Sequence, residues 1–290
     1  MKPPAFEYVA AGSIEEAVSL LSQHEGDAKV IAGGQSLVPM LNFRLLAPAV
    51  LVDVNRIPGL EGVEDHEGGL RIGALTRHHT LETSELVKAR FPVLHDAMQF
   101  VAHLAIRNRG TIGGSLSHAD PAAELPTMAV LLDAEIEAQG PGGPRTIAAR
   151  DFFESALATT LEEDEIVTEI RLPALPAQTG WAFEEFARRS GDFGIAGVGV
   201  TLSLAEGTVA DARIALLGVA QTPMRASAAE ALLKDKGRDD ELIAAAADAA
   251  RDAAEPEDDL HGSADYRRHL VGVLTRRALV AAWDRAEAAA

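Results

Sequence analysis

The sequence predicts an α+β protein of two successive domains, and three observations carry that prediction. Its 290 residues exceed the usual size of one compact domain. The stretch PALPAQTG at 173–180 holds two prolines and no periodicity, so it reads as a linker. Strands and helices alternate before it, whereas after it three strands precede three helices, the order of a separate α+β unit. The expected domains are therefore 1–175 and 176–290.

Each element follows from a local signal. SIEEAVSLLSQHEG opens on a capping box, Ser13 with Glu16, and carries Ile14, Ala17, Val18 and Leu21 at helical spacing until Gly26 stops it. AKVIA at 28–32 is a buried strand running into Gly33-Gly34. VLVDV at 50–54 and LRIGAL at 70–75 are two more, the second after a Gly-rich acidic turn. Pro92 suits a first helical turn, with Leu94, Ala97, Met98 and Val101 on one buried face. PAAELPTMAVLLD is helical despite Pro126; AEIEAQ and RTIAA flank the turn GPGGP, and DEIVTEIRLP is a further strand. Beyond the linker, WAFEEFA, AGVGVTLSL and VADARIALLGVA are the three strands. RASAAEALL, DDELIAAAADAARDAA and SADYRRHLVGVLTRRALVAAWDRA are the three helices.

Composition excludes several function classes. With 44 acidic and 26 basic residues the chain carries −18, a surface that repels nucleic acid. No run approaches the roughly 20 apolar residues of a membrane span, and MKPPAFEYVA lacks a secretory apolar core, so a cytoplasmic protein is expected. There is no cysteine, hence no disulfide, no thiolate nucleophile and no ordinary iron–sulfur ligand; any such cluster must belong to a partner.

Two short segments stand out as chemistry. AGGQS at 32–36 and TIGGS at 111–115 are both Gly-Gly pairs ending in a hydroxyl, Ser36 and Ser115. Backbone without Cβ approaches a ligand closely and can present successive N–H donors to an anion, so two facing corners could hold the two phosphates of a pyrophosphate. A tight turn is the competing reading for either one alone. Neither has the G-x-G-x-x-G spacing of a Rossmann loop or the G-K-[ST] of a P-loop. His118 and Asp120 lie close together but lack further ligands at a metal-binding spacing, and adjacent His78 and His79 read as polar loop residues. EEFARRSGDFG at 184–194 sets Arg188, Arg189 and Asp192 around a Gly-bounded turn whose Phe193 could cover a flat ring.

Taken in order, KVIAGGQSLVPMLNFRL, LRIGALTRH, AIRNRGTIGGSLSHADPAAELP, RRSGDFGIAGVGV and SADYRRHLVGVLTRRAL resemble the FAD-binding medium subunit of the molybdenum hydroxylases, the family of carbon monoxide and xanthine dehydrogenases. The resemblance covers essentially the whole chain. It implies a two-lobed FAD domain of the vanillyl-alcohol oxidase (PCMH) type, with lobes at about 1–55 and 56–175, then a smaller α+β C-terminal domain. FAD would lie between the lobes, its pyrophosphate held by Ala32, Gly33, Gly34, Gln35 and Ser36 and by Thr111, Ile112, Gly113, Gly114 and Ser115. Lys29, Ile31 and Leu37 would flank the first loop, and His118 the second. Val101, Ala102 and Ile106 would line the flavin or adenine region. Glu124 would take the place of a ribose-binding acid, Val167 that of an apolar contact, and Asp192 and Phe193 would lie near the isoalloxazine. Many relatives carry a basic residue just before FARR, where this chain has Glu184 and Glu185; its loss should alter the flavin potential or the acceptor site.

The family further implies that substrate chemistry belongs to a large molybdopterin-binding partner and that a small [2Fe–2S] partner delivers electrons, in a dimer of heterotrimers. The absence of cysteine fits that division. Two other readings stay open at the level of sequence: a self-contained FAD-dependent reductase on the same fold, and a flavin-free scaffold subunit.

Overall fold

The computed structural model describes residues 2–289 and has the expected α+β architecture. A small parallel sheet comes first, built from β1 (Glu7–Ala10), α1 (Ile14–Gln23), β2 (Ala28–Ile31), α2 (Leu37–Asn42) and β3 (Val50–Asp53), in the order β1-β3-β2. Parallel pairing demands crossovers, and α1 and α2 supply them. Ser13 Oγ accepts from Glu16 N–H (3.2 Å), while the Glu16 carboxylate reaches Gly12 N–H (2.7 Å), one residue before the position a standard capping box uses. Val50, Val52 and Val54 bury one face of the sheet against Ala17, Val18 and Leu21 of α1.

The next segment holds β4 (Val63–His66), β5 (Gly69–Gly73), α3 (His78–Thr83), α4 (Glu85–Arg90), α5 (Pro92–Ala97), α6 (Leu104–Arg107), α7 (Ile112–His118) and α8 (Glu124–Leu131). It continues through β6 (Glu135–Gly140), β7 (Gly143–Ala148), α9 (Ala149–Phe152), a small β8 (Phe153–Ser155) and β9 (Ala158–Thr159) hairpin, and β10 (Ile166–Leu172). Its sheet is antiparallel, ordered β4-β5-β10-β6-β7, with a bulge in β10 at Thr168. Three expectations need correction here. The helix from Pro92 ends at Ala97, so Val101 lies in the turn beyond it. TIGGS is not a free corner but the N-cap and first turn of α7. β4 occupies what reads as a turn, because four residues with one apolar side chain carry no periodicity. Pro126 is tolerated because it stands in the first turn of α8, whose missing N–H costs nothing there.

The last part comprises β11 (Thr179–Phe186), β12 (Ala196–Ala205), β13 (Thr208–Leu217), β14 (Met224–Arg225), α10 (Ser227–Leu233), α11 (Asp240–Ala253) and α12 (Ala264–Ala288). The three expected strands are joined by a fourth of two residues, giving the order β11-β12-β13-β14. Trp283 of α12 is fully buried against this sheet with Val198, Val200 and Ile214. The two parts meet through Phe100 and Phe183 edge to face at 5.3 Å, Trp181 Nε1–H donating to Asp96 (3.2 Å), and Gly218 N–H donating to the Pro121 carbonyl (2.9 Å). Among the described residues no helix is long and apolar enough to cross a membrane, and no group of three or more His, Asp or Glu is placed to hold a metal.

Candidate functional site

β2 delivers the first Gly-Gly pair, and α2 begins directly after it. Lys29 and Ile31 share one face of β2, since side chains alternate along a strand, and Ile31 reaches the wall of a cleft. Gly34 sits at φ +72°, a conformation that favours glycine and turns the chain from strand into helix. Ser36 precedes the helix, but its hydroxyl caps no backbone group. The N–H groups of Gly34, Gln35, Ser36 and Leu37 have no partner within the described residues, although the Gln35 side chain folds back to the Gly33 carbonyl (2.9 Å). Four successive free donors at a helix start are what an anionic group needs. They border a cleft of about 550 Å³ lined also by Tyr8, Val38, Asn55 and Arg109, a volume suited to part of a small-molecule ligand.

The second pair is built differently. Thr111 caps α7, its Oγ1 accepting from Gly114 N–H (3.1 Å), but the preceding donors are spent: Ile112 N–H goes to the Thr76 carbonyl (3.1 Å) and Gly113 N–H to Ala74 (2.9 Å). Gly113 is buried because a Cβ there would lie 2.7 Å from the Ala74 Cβ. This corner therefore presents not a row of N–H groups but an exposed Gly114 and the unpartnered Ser115 hydroxyl. Arg109, just before it, lines the cleft and forms no ion pair among the described residues, so it is a local positive charge within a chain of net −18, whereas Arg107 pairs with Glu82 and Arg77 is engaged with Asn55 and the Arg109 carbonyl. The two corners touch. Gly33 lies so close to the second loop that a Cβ would stand 2.2 Å from the Arg109 carbonyl oxygen and 2.9 Å from Gly110 Cα.

Beneath the second corner lies His78, buried rather than a loop residue. Its Nε2–H donates to the Thr111 carbonyl (3.0 Å), and its backbone N–H to Gly110 (3.0 Å). Burial holds its pKa down to about 4, helped by the charges of Arg107 and Arg77, so the ring is neutral and its Nδ1 has no partner. Arg107 organises the neighbouring turn: it pairs with Glu82 (2.8 Å) and donates to the carbonyls of Val101 (2.8 Å) and Ala102 (3.0 Å). Ala102 takes φ +42°, an uncommon conformation for a residue with a Cβ.

The structure brings the distant turn at 191–193 to the same place. A Cβ on Gly191 would lie 2.3 Å from the His103 ring and 3.0 Å from the Ala102 carbonyl, so Asp192 and the exposed Phe193 project beside the 101–103 turn. Arg267 fixes the strand behind that turn, donating to the carbonyls of Ile195 and Gly218 and pairing with Asp259 (2.6 Å). Glu124, at the start of α8, is buried; burial pushes its carboxyl up to about 7, with Asp120 adding to the shift. Glu185 of β11 is pushed up to about 8 by burial and by Glu124, and one of its oxygens has no partner. The charge of Glu124 thus reaches Glu185 across the boundary between the two parts. His118 is half-buried, its pKa lowered by that burial, and Ile106 is also half-buried. Val167 is buried with Ile112 and Leu116 in the core behind α7, so its side chain supports the corner from within. Asn55, Arg77 and His78 are members of this region that no sequence signal singled out as site residues; LRIGALTRH stood out for its strand, its histidine and the family resemblance, not for a place beside the second corner.

Comparison with known proteins fits this geometry. Residues 4–175 match a family model described as the FAD binding domain in molybdopterin dehydrogenase, and residues 181–282 one described as the CO dehydrogenase flavoprotein C-terminal domain. The chain is 45% identical over 287 residues to the 6-hydroxypseudooxynicotine dehydrogenase complex subunit alpha of Paenarthrobacter nicotinovorans, covering 99% of this chain and 97% of that one. It superposes on a chain of carbon monoxide dehydrogenase from Hydrogenophaga pseudoflava with a TM-score of 0.96 and 46% identity, covering 98% and 99% of the two chains. On a chain of quinoline 2-oxidoreductase from Pseudomonas putida 86 the TM-score is 0.94 at 38% identity, with 99% of each covered.

Proposed function

The chain belongs to the family of FAD-binding subunits of molybdopterin dehydrogenases, an oxidoreductase family, and on that premise we propose that it is the electron-transfer flavoprotein of a heteromeric molybdenum hydroxylase. In this reading residues 1–175 carry FAD between two lobes and residues 176–290 close over the flavin end. The observation that carries it is the row of four free N–H groups at Gly34–Leu37 held in contact with a second, charged corner at Arg109–Ser115.

Bound FAD would accept electrons singly from [2Fe–2S] clusters of a small partner and release them in pairs to an external acceptor such as NAD⁺ or a quinone. The residues of this chain bind and orient. The Gly34–Leu37 donors and the Ser36 hydroxyl would take one phosphate, and the Ser115 hydroxyl with Arg109 would take the other. Lys29, Ile31 and Leu37 flank the first phosphate, while Thr111 and His118 bound the second. Glu124 accepts from a ribose hydroxyl, and its raised pKa makes that contact depend on pH near neutrality. Val101, Ala102 and Ile106 form the wall against which the ring system lies, and Asp192 with Phe193 covers its open side. Glu184 and Glu185 stand where the family resemblance leads one to expect a cation, and the proton that burial holds on Glu185 would spare the site one negative charge there.

Substrate oxidation falls to a large molybdopterin-binding partner. The test is co-expression with and without partner subunits. The isolated chain should bind FAD near stoichiometry and turn over no molybdenum-hydroxylase substrate, and the assembled complex should do both. A colourless chain that rejects added FAD would refute the reading, as would substrate turnover by the chain alone.

A further inference from the structure

Two residues, Asn55 at the edge of the cleft and Arg77 behind it, join the halves of this site through side-chain bonds to each other and to both corners. Asn55, just past β3, donates through Nδ2 to the Ala32 carbonyl (2.8 Å), the residue that opens the first Gly-Gly corner. The Asn55 side chain is itself held by Asp53, whose Oδ1 accepts from Asn55 N–H (2.8 Å) and Nδ2–H (2.6 Å). Asp53 remains a charged acceptor: burial would raise its pKa, but bonds from Tyr8 and Asn55 and the charge of Arg56 hold it below the usual range. The free Asn55 Oδ1 accepts from Arg77 Nη2 (2.7 Å). Arg77 Nη1 in turn donates to the Arg109 carbonyl (2.6 Å), the same oxygen against which Gly33 packs.

The chain of contacts thus runs Ala32, Asn55, Arg77, Arg109, from one corner to the other and from the parallel sheet to the antiparallel one. Arg77 suits the task because its guanidinium offers donors in a fixed fork that can serve two acceptors at once. Asn55 suits it because one amide carries both a donor and an acceptor. Both side chains are half-buried, where such bonds are less diluted by water than at the surface. The segment is further fixed by the Arg77 to Thr111 bridge between backbones.

We propose that Asn55 and Arg77 form a clasp that sets the separation of the two Gly-Gly corners, making them positioning residues for the pyrophosphate of the cofactor. The proposal rests on the assignment of FAD to this cleft. Its consequence is specific: breaking the clasp lets the corners drift apart and weakens binding of a diphosphate, while leaving the ring-binding wall at 101–106 and 192–193 untouched.

The experiment compares full-length R77M, R77K, N55A and the R77M/N55A double variant with the unmodified chain. Affinity is measured separately for FAD, for ADP and for riboflavin, alongside thermal melts of the flavin-free chains. R77M and N55A should each weaken FAD and ADP on the order of 10- to 100-fold, as expected for losing a hydrogen bond to a charged donor. Riboflavin affinity should stay within about twofold, and the double variant should be no weaker than the worse single one, because both changes break one connection. R77K, with one point charge in place of a fork, should fail to restore FAD binding. Additive losses in the double variant, full rescue by R77K, or equal loss of riboflavin and ADP would each overturn the clasp. Failure of the unmodified chain to bind FAD or ADP would instead overturn the cofactor assignment itself.

Discussion

Replacing Gly33 with alanine probes the contact between the corners at its tightest point. The added Cβ would lie 2.2 Å from the Arg109 carbonyl oxygen, whereas a carbon and a carbonyl oxygen approach no closer than about 3.3 Å. The loops must therefore part by about 1 Å, and because the obstacle is backbone no side-chain rotation relieves it. Forcing one methyl into such a packed contact costs about 1–3 kcal/mol, which lowers the melting temperature of a domain this size by roughly 3–10 °C. The same displacement moves the Arg109–Ser115 corner away from a phosphate held by Gly34–Leu37, at a cost of about 10- to 100-fold in FAD affinity for each hydrogen bond lost. Flavin fluorescence titration and thermal melts measure both effects. Gly114→Ala is the control, because its Cβ meets only Thr111 Oγ1 at 2.7 Å and otherwise points to open space. It should weaken FAD while costing at most about 1 kcal/mol of stability through the disturbed cap. A Gly33→Ala protein that melts early but binds FAD with unchanged affinity would refute the reasoning, since the corners would then be separable without consequence for the ligand.

Three further outcomes follow from buried ionisable groups. Glu185 has its pKa raised from 4.5 to about 8, so the folded chain holds a proton that the unfolded chain releases, and stability falls as pH rises through that window. Glu185→Gln should flatten the decline in melting temperature between pH 5 and 9, and parallel profiles for the two proteins would contradict the burial of that carboxyl. His78 has the opposite sign: its pKa is lowered from 6.5 to about 4, the unfolded chain takes up the proton first, and about 3 kcal/mol of stability is lost as pH falls across the gap. His78→Gln, which keeps a donor for the Thr111 carbonyl, should show a shallower acid limb in thermal melts, and an unchanged limb would exclude His78 as its cause. Glu124→Gln should weaken FAD by roughly 10-fold while raising the melting temperature above pH 7, because a buried carboxyl pushed up to about 7 no longer has to ionise there. Unchanged FAD affinity in this variant would displace the ribose contact.

How far the site was legible in the sequence divides along one physical line. Gly33, Gly34 and Gly113 announce themselves because close approach or a positive φ excludes side chains there, and glycine in the sequence marks that requirement directly. What the glycines are for is not local. Whether an N–H is free depends on which carbonyl faces it, and Ile112 and Gly113 lose theirs to Thr76 and Ala74, nearly forty residues earlier. No spacing rule connects those positions. Asn55 and Arg77 are invisible for the same reason, being ordinary polar residues whose meaning comes from the 32 residues that separate Arg77 from its acceptor at Arg109. The strands of the C-terminal part were readable because β12 and β13, at ten residues each, are long enough for their apolar residues to show a pattern, whereas β4 and β14 are too short to show any.

The two Gly-Gly corners therefore look alike in sequence and differ in chemistry. The first keeps its backbone donors free; the second has spent its donors on the fold and offers the Ser115 hydroxyl and the charge of Arg109. An acidic chain cannot hold a diphosphate by its overall field, so directed dipoles on one side and local charge on the other must do it together, at a fixed separation. Removing the charge at Arg109, which forms no ion pair among the described residues and lines the cleft, isolates the second contribution. Arg109→Gln leaves the backbone carbonyl that Gly33 and Arg77 contact, so the corners keep their spacing. FAD affinity should then become less sensitive to salt than in the unmodified chain, and titrations at low and high ionic strength measure it. An identical salt dependence would assign the binding to the dipoles of the first corner alone.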